Sequence, residues 1–258
     1  MLPITNTKIE TLEPKWARFV GYSLLFDNPG DSLCQTGGFE RIHCEVDSSS
    51  ELVLYRELSR ATSKLGKGES NELGLCLLLS NSYHVTFFDC GNQANAEGAH
   101  PVVKSALTGF IEGLPESWTE EHELVLPAAR CALALSASPG LFFRYSGLRN
   151  WGNQVIVAVL EPSDEATSTI LEGMVEGRAN LSNYYQTELG FGTGPKYTPH
   201  VSLGYFANED GGEKASAELD AWDDALRERT EGLQIRFNSI GTYAFTDMVT
   251  FFRKSCMP

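Results

Sequence analysis

The sequence predicts an α+β fold that is built from a duplicated unit. In the N-terminal part, the strand candidate FERIHCEV (39–46) is followed by a helix candidate, a polar loop and the apolar runs LGLCLLL and SYHVTFF. In the C-terminal part, the strand candidate QVIVAVL (154–160) is followed by a helix candidate, a loop and KYTPHVSLGYF. The same order of strand, helix, loop, strand and histidine therefore occurs twice. It predicts one domain, 1–258, with lobes at about 15–126 and 127–252.

The spacing between the helix starts and the histidines supports the duplication. Ser48 and Glu51 have the spacing of a capping box, which predicts that the first helix begins there. The second helix is predicted to be capped near Ser163. The distance to the following histidine is 84 − 48 = 36 residues in the first unit and 200 − 163 = 37 residues in the second.

Composition limits the kinds of partner. A chain of 258 residues with 42% hydrophobic residues can bury a large core, and no apolar run is long enough to span a bilayer, so we expect a cytoplasmic protein without a membrane partner. The net charge of −14 argues against binding to long nucleic acid, which needs a broad basic face. Much of the acidity lies in 208–232, which we interpret as a solvated surface helix with its flanks.

The cysteines predict neither a disulfide framework nor a zinc site. None has CxxC spacing and several lie in apolar runs, so reduced thiols are expected, with no metal and no cofactor. The six are Cys34, Cys44, Cys76, Cys90, Cys131 and Cys256.

Two short motifs carry the candidate chemistry. His84-Val85-Thr86 and His200-Val201-Ser202 each place a hydroxyl two residues after a histidine in an apolar segment. In a strand, residues i and i+2 point to the same face, so each imidazole and its hydroxyl project together. If the two units pack about a pseudo-twofold axis with these strands side by side, two imidazoles and two hydroxyls share one cleft.

This set of groups suits metal-free phosphodiester chemistry. One neutral imidazole can accept a proton from the nucleophile while the other, protonated, donates one to the departing oxygen. The hydroxyls can donate hydrogen bonds to the non-bridging phosphate oxygens. The competing interpretation of each histidine is a structural one, in which a neighbouring hydroxyl satisfies a core imidazole.

The paired motifs YHVTFF and PHVSLGYF resemble the two signatures of the 2H phosphoesterase superfamily, which includes RNA 2′,3′-cyclic phosphodiesterases and enzymes described as 2′-5′ RNA ligases. The resemblance covers about residues 18 to 252. It implies a bilobal α+β fold in which antiparallel sheets line a central cleft and helices lie outside. It also implies catalytic roles for His84, Thr86, His200 and Ser202, with serine at the last position where threonine is common.

Other side chains are candidates for substrate binding. Tyr197 and Trp151 could cover a base, and Arg144 and Arg149 could reach a phosphate, although Arg144 is equally consistent with the solvent face of a strand. In regular strands, Tyr83 and Tyr205 would point away from the cleft. The segment 91–127 predicts an additional helix at about 101–113 beside the cleft.

The sequence thus predicts a phosphoric diester hydrolase that opens a 2′,3′-cyclic phosphate on a nucleotide or a short RNA end. A 2′-5′ phosphodiesterase or a cyclic-oligonucleotide hydrolase is the alternative within the same fold. A protein that only binds a phosphorylated ligand is the alternative outside catalysis. An enzyme of this size with a groove can work as a monomer.

Overall fold

The computed structural model describes residues 2–13, 15–27, 46–64, 72–135, 140–194 and 196–253, and the backbone of 32–35 and 39–42. Helices and antiparallel sheets coexist in it, which confirms the α+β prediction. The strands are β1 (Ile9–Thr11), β2 (Lys15–Trp16), β3 (Gly21–Phe26), β4 (Ser32–Gln35), β5 (Phe39–Ile42), β6 (Leu75–Leu77), β7 (Thr86–Asn92), β8 (Leu141–Trp151), β9 (Val155–Pro162), β10 (His200–Phe206), β11 (Ile235–Phe237), β12 (Ile240–Phe245) and β13 (Phe251–Arg253). The helices are α1 (Val53–Thr62), α2 (Gln93–Ala96), α3 (Pro101–Glu112), α4 (Leu126–Leu135), α5 (Glu165–Glu188), α6 (Glu209–Ala215) and α7 (Leu219–Thr230), with a 3-10 turn at Ser80–Ser82.

Two large sheets form the body of the protein. One has six strands in the order β5-β4-β13-β12-β3-β7, and the other has five in the order β11-β8-β9-β10-β6. All neighbouring strands are antiparallel except β13 and β4. Each sheet contains strands from both halves of the chain. The C-terminal strands β12 and β13 belong to the first sheet, and the N-terminal strand β6 belongs to the second. The predicted division at about residue 126 therefore does not coincide with the division into sheets, and the duplication stays a prediction.

The predicted start of the first helix is wrong, and that of the second is confirmed to within one residue. Helix α1 begins at Val53 with Leu52 at the N-cap position, so Ser48 and Glu51 do not form a capping box at its first turn. Helix α5 is capped by Asp164, whose carboxylate accepts a hydrogen bond from the Thr167 amide at 2.7 Å. A carboxylate at this position also interacts favourably with the helix dipole, which explains why Asp164 and not the neighbouring Ser163 is the cap.

The acidic segment and the predicted insertion both fold into helices. Residues 208–232 contain two helices, α6 and α7, instead of one. The predicted helix at 101–113 is α3, but it packs on the side of β3 that faces away from the histidines, where Phe110 contacts Tyr22 edge to face. The expectation that it lies beside the cleft is wrong, because its apolar face is buried against the outer surface of the sheet.

The cysteine and membrane expectations can be followed only where the structure describes the chain. Cys76 and Cys90 are buried, Cys131 is half-buried, and all three are free thiols. The side chain of Cys34, and residues Cys44 and Cys256, lie outside the described residues. Among the helices in the described ranges, none combines the length and apolar character that a membrane crossing requires.

Candidate active site

A single backbone bridge brings the two motifs together. Val85 and Val201, the middle residues of the motifs, form an isolated antiparallel β-bridge between the two large sheets. The space beside β10 is open at this point because β6 pairs only with Gly204, Tyr205 and Phe206. Both valines are fully buried. Their neighbours on either side, which are the histidines and the hydroxyl residues, therefore point together to the opposite face.

The two imidazoles are held in the same way. Nδ1 of His84 lies 2.9 Å from the Ser82 carbonyl oxygen, and Nδ1 of His200 lies 2.9 Å from the Thr198 carbonyl oxygen. A carbonyl can only accept, so Nδ1 carries the proton in both rings. In the neutral imidazoles, each Nε2 is consequently an unprotonated acceptor.

Each imidazole also packs against the edge or face of one aromatic ring. The His84 ring lies 4.7 Å from Phe251 with an interplanar angle of 66°, and the His200 ring lies 4.4 Å from Trp151 with an angle of 64°. Together with the Nδ1 hydrogen bonds, these contacts fix the plane of each ring. The two imidazoles are therefore held by equivalent contacts.

A cleft of about 240 Å³ lies over the two motifs. Both histidines and both hydroxyl residues line it, as the sequence predicts. No hydrogen bond joins the Thr86 or Ser202 hydroxyl to another group in the described part of the chain, so both are available to a ligand. The remaining lining residues are Lys8, Phe19, Ser23, Leu25, Asp89, Tyr205, Phe245, Asp247, Met248 and Phe251.

A β-bulge follows each motif at the same position. On β7, Phe87 is an extra residue, because Thr86 pairs with Leu25 and Phe88 with the adjacent Leu24. On β10, Leu203 is the extra residue, because Ser202 pairs with Val157 and Gly204 with the adjacent Ile156. Each bulge lies three residues after its histidine. A bulge reverses the alternation of side chains, so the residue five positions after each histidine returns to the cleft.

The bulges bring Asp89 and Tyr205 into the cleft. The expectation that Tyr205 points away is wrong, because it assumes a regular strand. Tyr83 precedes the bulge and is buried against Tyr55, as alternation predicts. A signal for the first bulge is visible in the sequence, since Phe87 and Phe88 are consecutive apolar residues that interrupt an alternating pattern.

Lys8 supplies the cleft with positive charge from the N-terminal strand pair. Its ammonium lies 4.7 Å from the centre of the Tyr205 ring and 5.1 Å from that of Phe19. Among the described residues that line the cleft, it is the only lysine or arginine. A lone lysine far from both motifs carries no sequence signal, so sequence reasoning misses it.

Burial and positive charge keep both imidazoles neutral. Removal from water, together with positive charge on His200 and Lys8, lowers the pKa of His84 to about 4 against the opposing effect of the Ser82 carbonyl. Burial, aided by Lys8, also lowers the pKa of His200, and the Thr198 carbonyl opposes this shift. A positive charge on one imidazole opposes protonation of the other, so the pair binds its first proton on one ring only.

Asp89 is a carboxylate at the cleft surface that neighbouring side chains hold in place. It accepts hydrogen bonds from the Ser23 hydroxyl at 3.2 Å and from the Asn92 amide at 3.1 and 3.3 Å. Its withdrawal from bulk water raises its pKa, although Lys8 and these hydrogen bonds act in the other direction. The residue keeps an exposed surface towards the cleft, so a ligand can reach it.

Tyr197 supports the motif instead of lining the cleft. Its hydroxyl donates to the Thr86 carbonyl at 3.1 Å, and its ring packs on Phe87. The guanidinium of Arg178 lies 5.2 Å from the same ring. The structure therefore places Tyr197 behind β7, where it cannot cover a base in the cleft.

Of the other predicted binding residues, only Trp151 adjoins the histidines. It contacts His200 and is 37% exposed. Arg144 is paired with Glu161 at 2.8 Å and lines a separate cavity together with Tyr145 and Arg227. Arg149 is exposed on β8 and donates to the Leu148 carbonyl at 2.7 Å. Neither arginine is among the described residues that line the histidine cleft.

Buried Arg178 connects the two motifs from behind. Its Nε donates to the carbonyl of Phe87, the bulge residue, at 3.0 Å, and its Nη1 donates to the Gly194 carbonyl at 2.8 Å. The side chain is 7% exposed, and its burial lowers its pKa. One guanidinium thus satisfies the carbonyl at the bulge on β7 and fixes the loop that leads to His200.

Where the structure describes the chain, no three histidine, cysteine or acidic side chains lie close enough to hold a metal ion.

Comparisons with known proteins support the fold alone. No family model matches the chain, and no curated protein matches its sequence. A similar solved structure is that of a conserved protein of unknown function from Agrobacterium tumefaciens strain C58, with a TM-score of 0.52 and 15% identity. The match covers 95% of this chain and 88% of that chain. It shows that a similar fold occurs in another protein.

Proposed function

We propose that this protein is a phosphodiesterase that hydrolyses a nucleoside 2′,3′-cyclic phosphate, with His84 and His200 as general base and general acid and without a metal ion. The observation that carries the proposal is the matched geometry of the two motifs. Each provides an imidazole with protonated Nδ1 and a hydroxyl two residues later, and the Val85–Val201 bridge directs both sets into one cleft.

We propose that His84 is the base and His200 the acid. In the step we propose, Nε2 of neutral His84 removes a proton from water as the water oxygen attacks phosphorus. The bond from phosphorus to one ribose oxygen breaks, and that oxygen receives a proton from Nε2 of protonated His200. The negative phosphate raises the pKa of an adjacent imidazole, which favours one proton on the histidine pair in the substrate complex. The products are a nucleoside monophosphate and a histidine pair with its protons exchanged.

Thr86, Ser202 and Lys8 are positioned to stabilise the transition state. The two hydroxyls can donate hydrogen bonds to the non-bridging oxygens as charge accumulates on them. Lys8 adds a positive charge that is oriented by the rings of Phe19 and Tyr205. These groups supply the electrostatic stabilisation for which many phosphoryl-transfer enzymes use cations.

The dimensions and charges of the cleft favour a small substrate. Its volume of about 240 Å³ is below the range of about 300–1,000 Å³ that is typical of small-molecule sites. Asp89 and Asp247 both line it, and a carboxylate repels additional phosphate groups. A cyclic mononucleotide or the terminal nucleotide of an RNA fits these limits better than a long RNA. We assign the reaction to the cytoplasm, consistent with the free thiols of Cys76, Cys90 and Cys131.

The test is turnover of the four nucleoside 2′,3′-cyclic monophosphates in EDTA by the wild type, His84→Gln and His200→Gln. Loss of a positioned acid or base lowers the rate by about two to four orders of magnitude. His100→Gln is the matched control, because His100 is exposed at the start of α3 and does not line the cleft. We expect turnover by the wild type and the control, and a loss of at least 100-fold in each cleft variant.

A second substrate separates the two roles. Bis(p-nitrophenyl) phosphate has a leaving group that needs little protonation, so His200→Gln should be far less damaging with it than with a cyclic nucleotide. His84→Gln should be equally damaging with both. If the pattern is reversed, the assignment of base and acid is reversed. If the wild type is inactive on all five substrates, with EDTA and with added Mg²⁺ or Mn²⁺, the proposal is rejected.

A further inference from the structure

The six-stranded sheet orders the groups of the cleft in successive rows. Thr86 on β7 is opposite Leu25 on β3, and Asp89 is opposite Ser23. Two residues of β3 separate these rows, which corresponds to about 7 Å. Asp89 is therefore displaced along the strand from the hydroxyl that faces the phosphate in the proposed function.

An aromatic pair lies one row beyond Asp89. Phe245 on β12 is opposite Gly21, and the Phe245 ring comes so close to Gly21 that a side chain at that position would overlap it. The ring of Phe19 lies parallel to it, with centroids 6.1 Å apart and an interplanar angle of 12°. Both rings line the cleft. The order along the sheet is thus hydroxyl and imidazole, then carboxylate, then aromatic rings.

We propose that Asp89 is the specificity-determining residue of this cleft and accepts a hydrogen bond from an exocyclic amino group on the base of the substrate. The inference rests on the proposed function for the position of the phosphate. A ribose joins a phosphate to a base over a distance of the same order as the separation between the Thr86 and Asp89 rows. The base then lies beside Phe19 and Phe245 with its polar edge towards the carboxylate.

The hydrogen bonds that Asp89 already accepts limit how many further donors it can bind. A carboxylate has about four acceptor sites, and Ser23 and Asn92 occupy up to three of them. One donor from a substrate completes the set. Cytosine presents an amino group at the position where uracil presents a carbonyl oxygen. The Asp89 carboxylate would attract the cytosine amino group and repel the uracil oxygen. The two pyrimidines are nearly equal in size and differ at this group, so they are the pair of bases to compare.

An anchoring role for Asp89 is the competing explanation. Asn92 donates to Asp89 and also caps α2, so the carboxylate could serve only to hold this turn. That role would affect stability and the activity on all bases together. It would not change the ratio between cytidine and uridine, and this ratio is therefore the quantity to measure.

The experiment compares the wild type, Asp89→Asn and Asp220→Asn. Asp220 is exposed on α7, so its substitution makes the same change of charge away from the cleft. For each protein, kcat/KM is measured with cytidine and uridine 2′,3′-cyclic monophosphate, and the Kd of cytidine and uridine 3′-monophosphate is measured by calorimetry. Binding of the monophosphates needs no turnover, so it tests Asp89 even if the proposed reaction is wrong.

We expect the wild type and Asp220→Asn to prefer cytidine by about 10- to 100-fold, the value of one hydrogen bond to a charged group. Asp89→Asn should reduce this preference to about threefold or less, or reverse it, because an amide can also donate to the uracil oxygen. If the wild type does not distinguish cytidine from uridine in kcat/KM and Kd, the inference is overturned. Turnover of both nucleotides in that case leaves the proposed function intact. A cytidine preference that persists in Asp89→Asn also overturns it. Asp89-dependent preference in binding without any turnover supports the inference and rejects the hydrolase.

Discussion

Replacement of Arg178 by methionine tests whether the bulge on β7 depends on a buried cation. Arg178 donates to the carbonyls of Phe87 and Gly194, at 3.0 and 2.8 Å, and Phe87 is the residue without a partner on β3. Methionine occupies similar space but leaves both carbonyls without these donors. The substitution therefore removes the hydrogen bonds and keeps most of the packing.

The expected loss follows from two opposing contributions. Each hydrogen bond from a charged donor contributes about 1.5–3 kcal/mol, so the two together contribute about 3–6 kcal/mol. Removing a buried cation also removes its desolvation cost, which offsets part of that sum. We expect the free energy of unfolding to fall by about 3 kcal/mol, which corresponds to a decrease in Tm of about 6–12 °C for a chain of this length.

Urea unfolding at neutral pH, with thermal unfolding as a second measurement, provides the assay. Arg144→Met is the matched control, since Arg144 forms only an exposed ion pair with Glu161, and such a pair contributes about 0–1 kcal/mol. If Arg178→Met loses no more stability than Arg144→Met, the two hydrogen bonds do not stabilise the bulge and the reasoning is wrong. A second consequence is a weaker preference for cytidine, because the bulge directs Asp89 into the cleft.

Three further outcomes are expected. The pKa of His84 is lowered to about 4 from an ordinary value of 6.5, so the unfolded state binds more protons than the folded state between these pH values. The contribution of His84 to stability should be complete above pH 6.5 and fall by up to about 3 kcal/mol towards pH 4. Urea titrations of His84→Gln should show a shallower decline over the same range. Tyr197→Phe leaves the Thr86 carbonyl without its donor, so unfolding measurements should show a loss of about 1 kcal/mol, with kcat/KM changed less than in either histidine variant. Trp151→Ala removes the ring that orients His200, so kcat/KM for cyclic nucleotides should fall by about tenfold, the equivalent of about 1.4 kcal/mol, whereas no change would show that the ring contact is incidental.

The sequence is informative about the candidate catalytic groups because their placement depends on local periodicity. A strand alternates its side chains, so the hydroxyl of an H-x-[T/S] motif must lie beside the histidine whatever the rest of the fold does. The meeting of the motifs depends on the Val85–Val201 bridge, which the apparent repeat suggests but no local pattern specifies. Lys8 reaches the cleft only through the tertiary position of β1.

The errors arise where a local rule competes with a stronger local interaction or with a change of register. Ser163 is a plausible cap, but the adjacent carboxylate of Asp164 makes the hydrogen bond. Tyr205 would point away from the cleft in a regular strand, but the extra residue at Leu203 reverses its direction. A β-bulge shifts every later side chain by one position, so one missed bulge moves a whole set of residues to the wrong face.

In the proposed function, the two matched bulges separate the groups that carry out proton transfer from those that set selectivity. Before the bulges, the strands present equivalent groups, an imidazole and a hydroxyl, which suits a proton transfer that must work on both sides of one phosphorus atom. After them, the strands present different groups, the Asp89 carboxylate from β7 and the Tyr205 ring beneath Lys8 from β10. In the described part of the chain, no hydrogen bond joins the Asp89 or Tyr205 side chain to either histidine. Substrate preference can therefore change at Asp89 and Tyr205 while the proposed proton transfers remain the same.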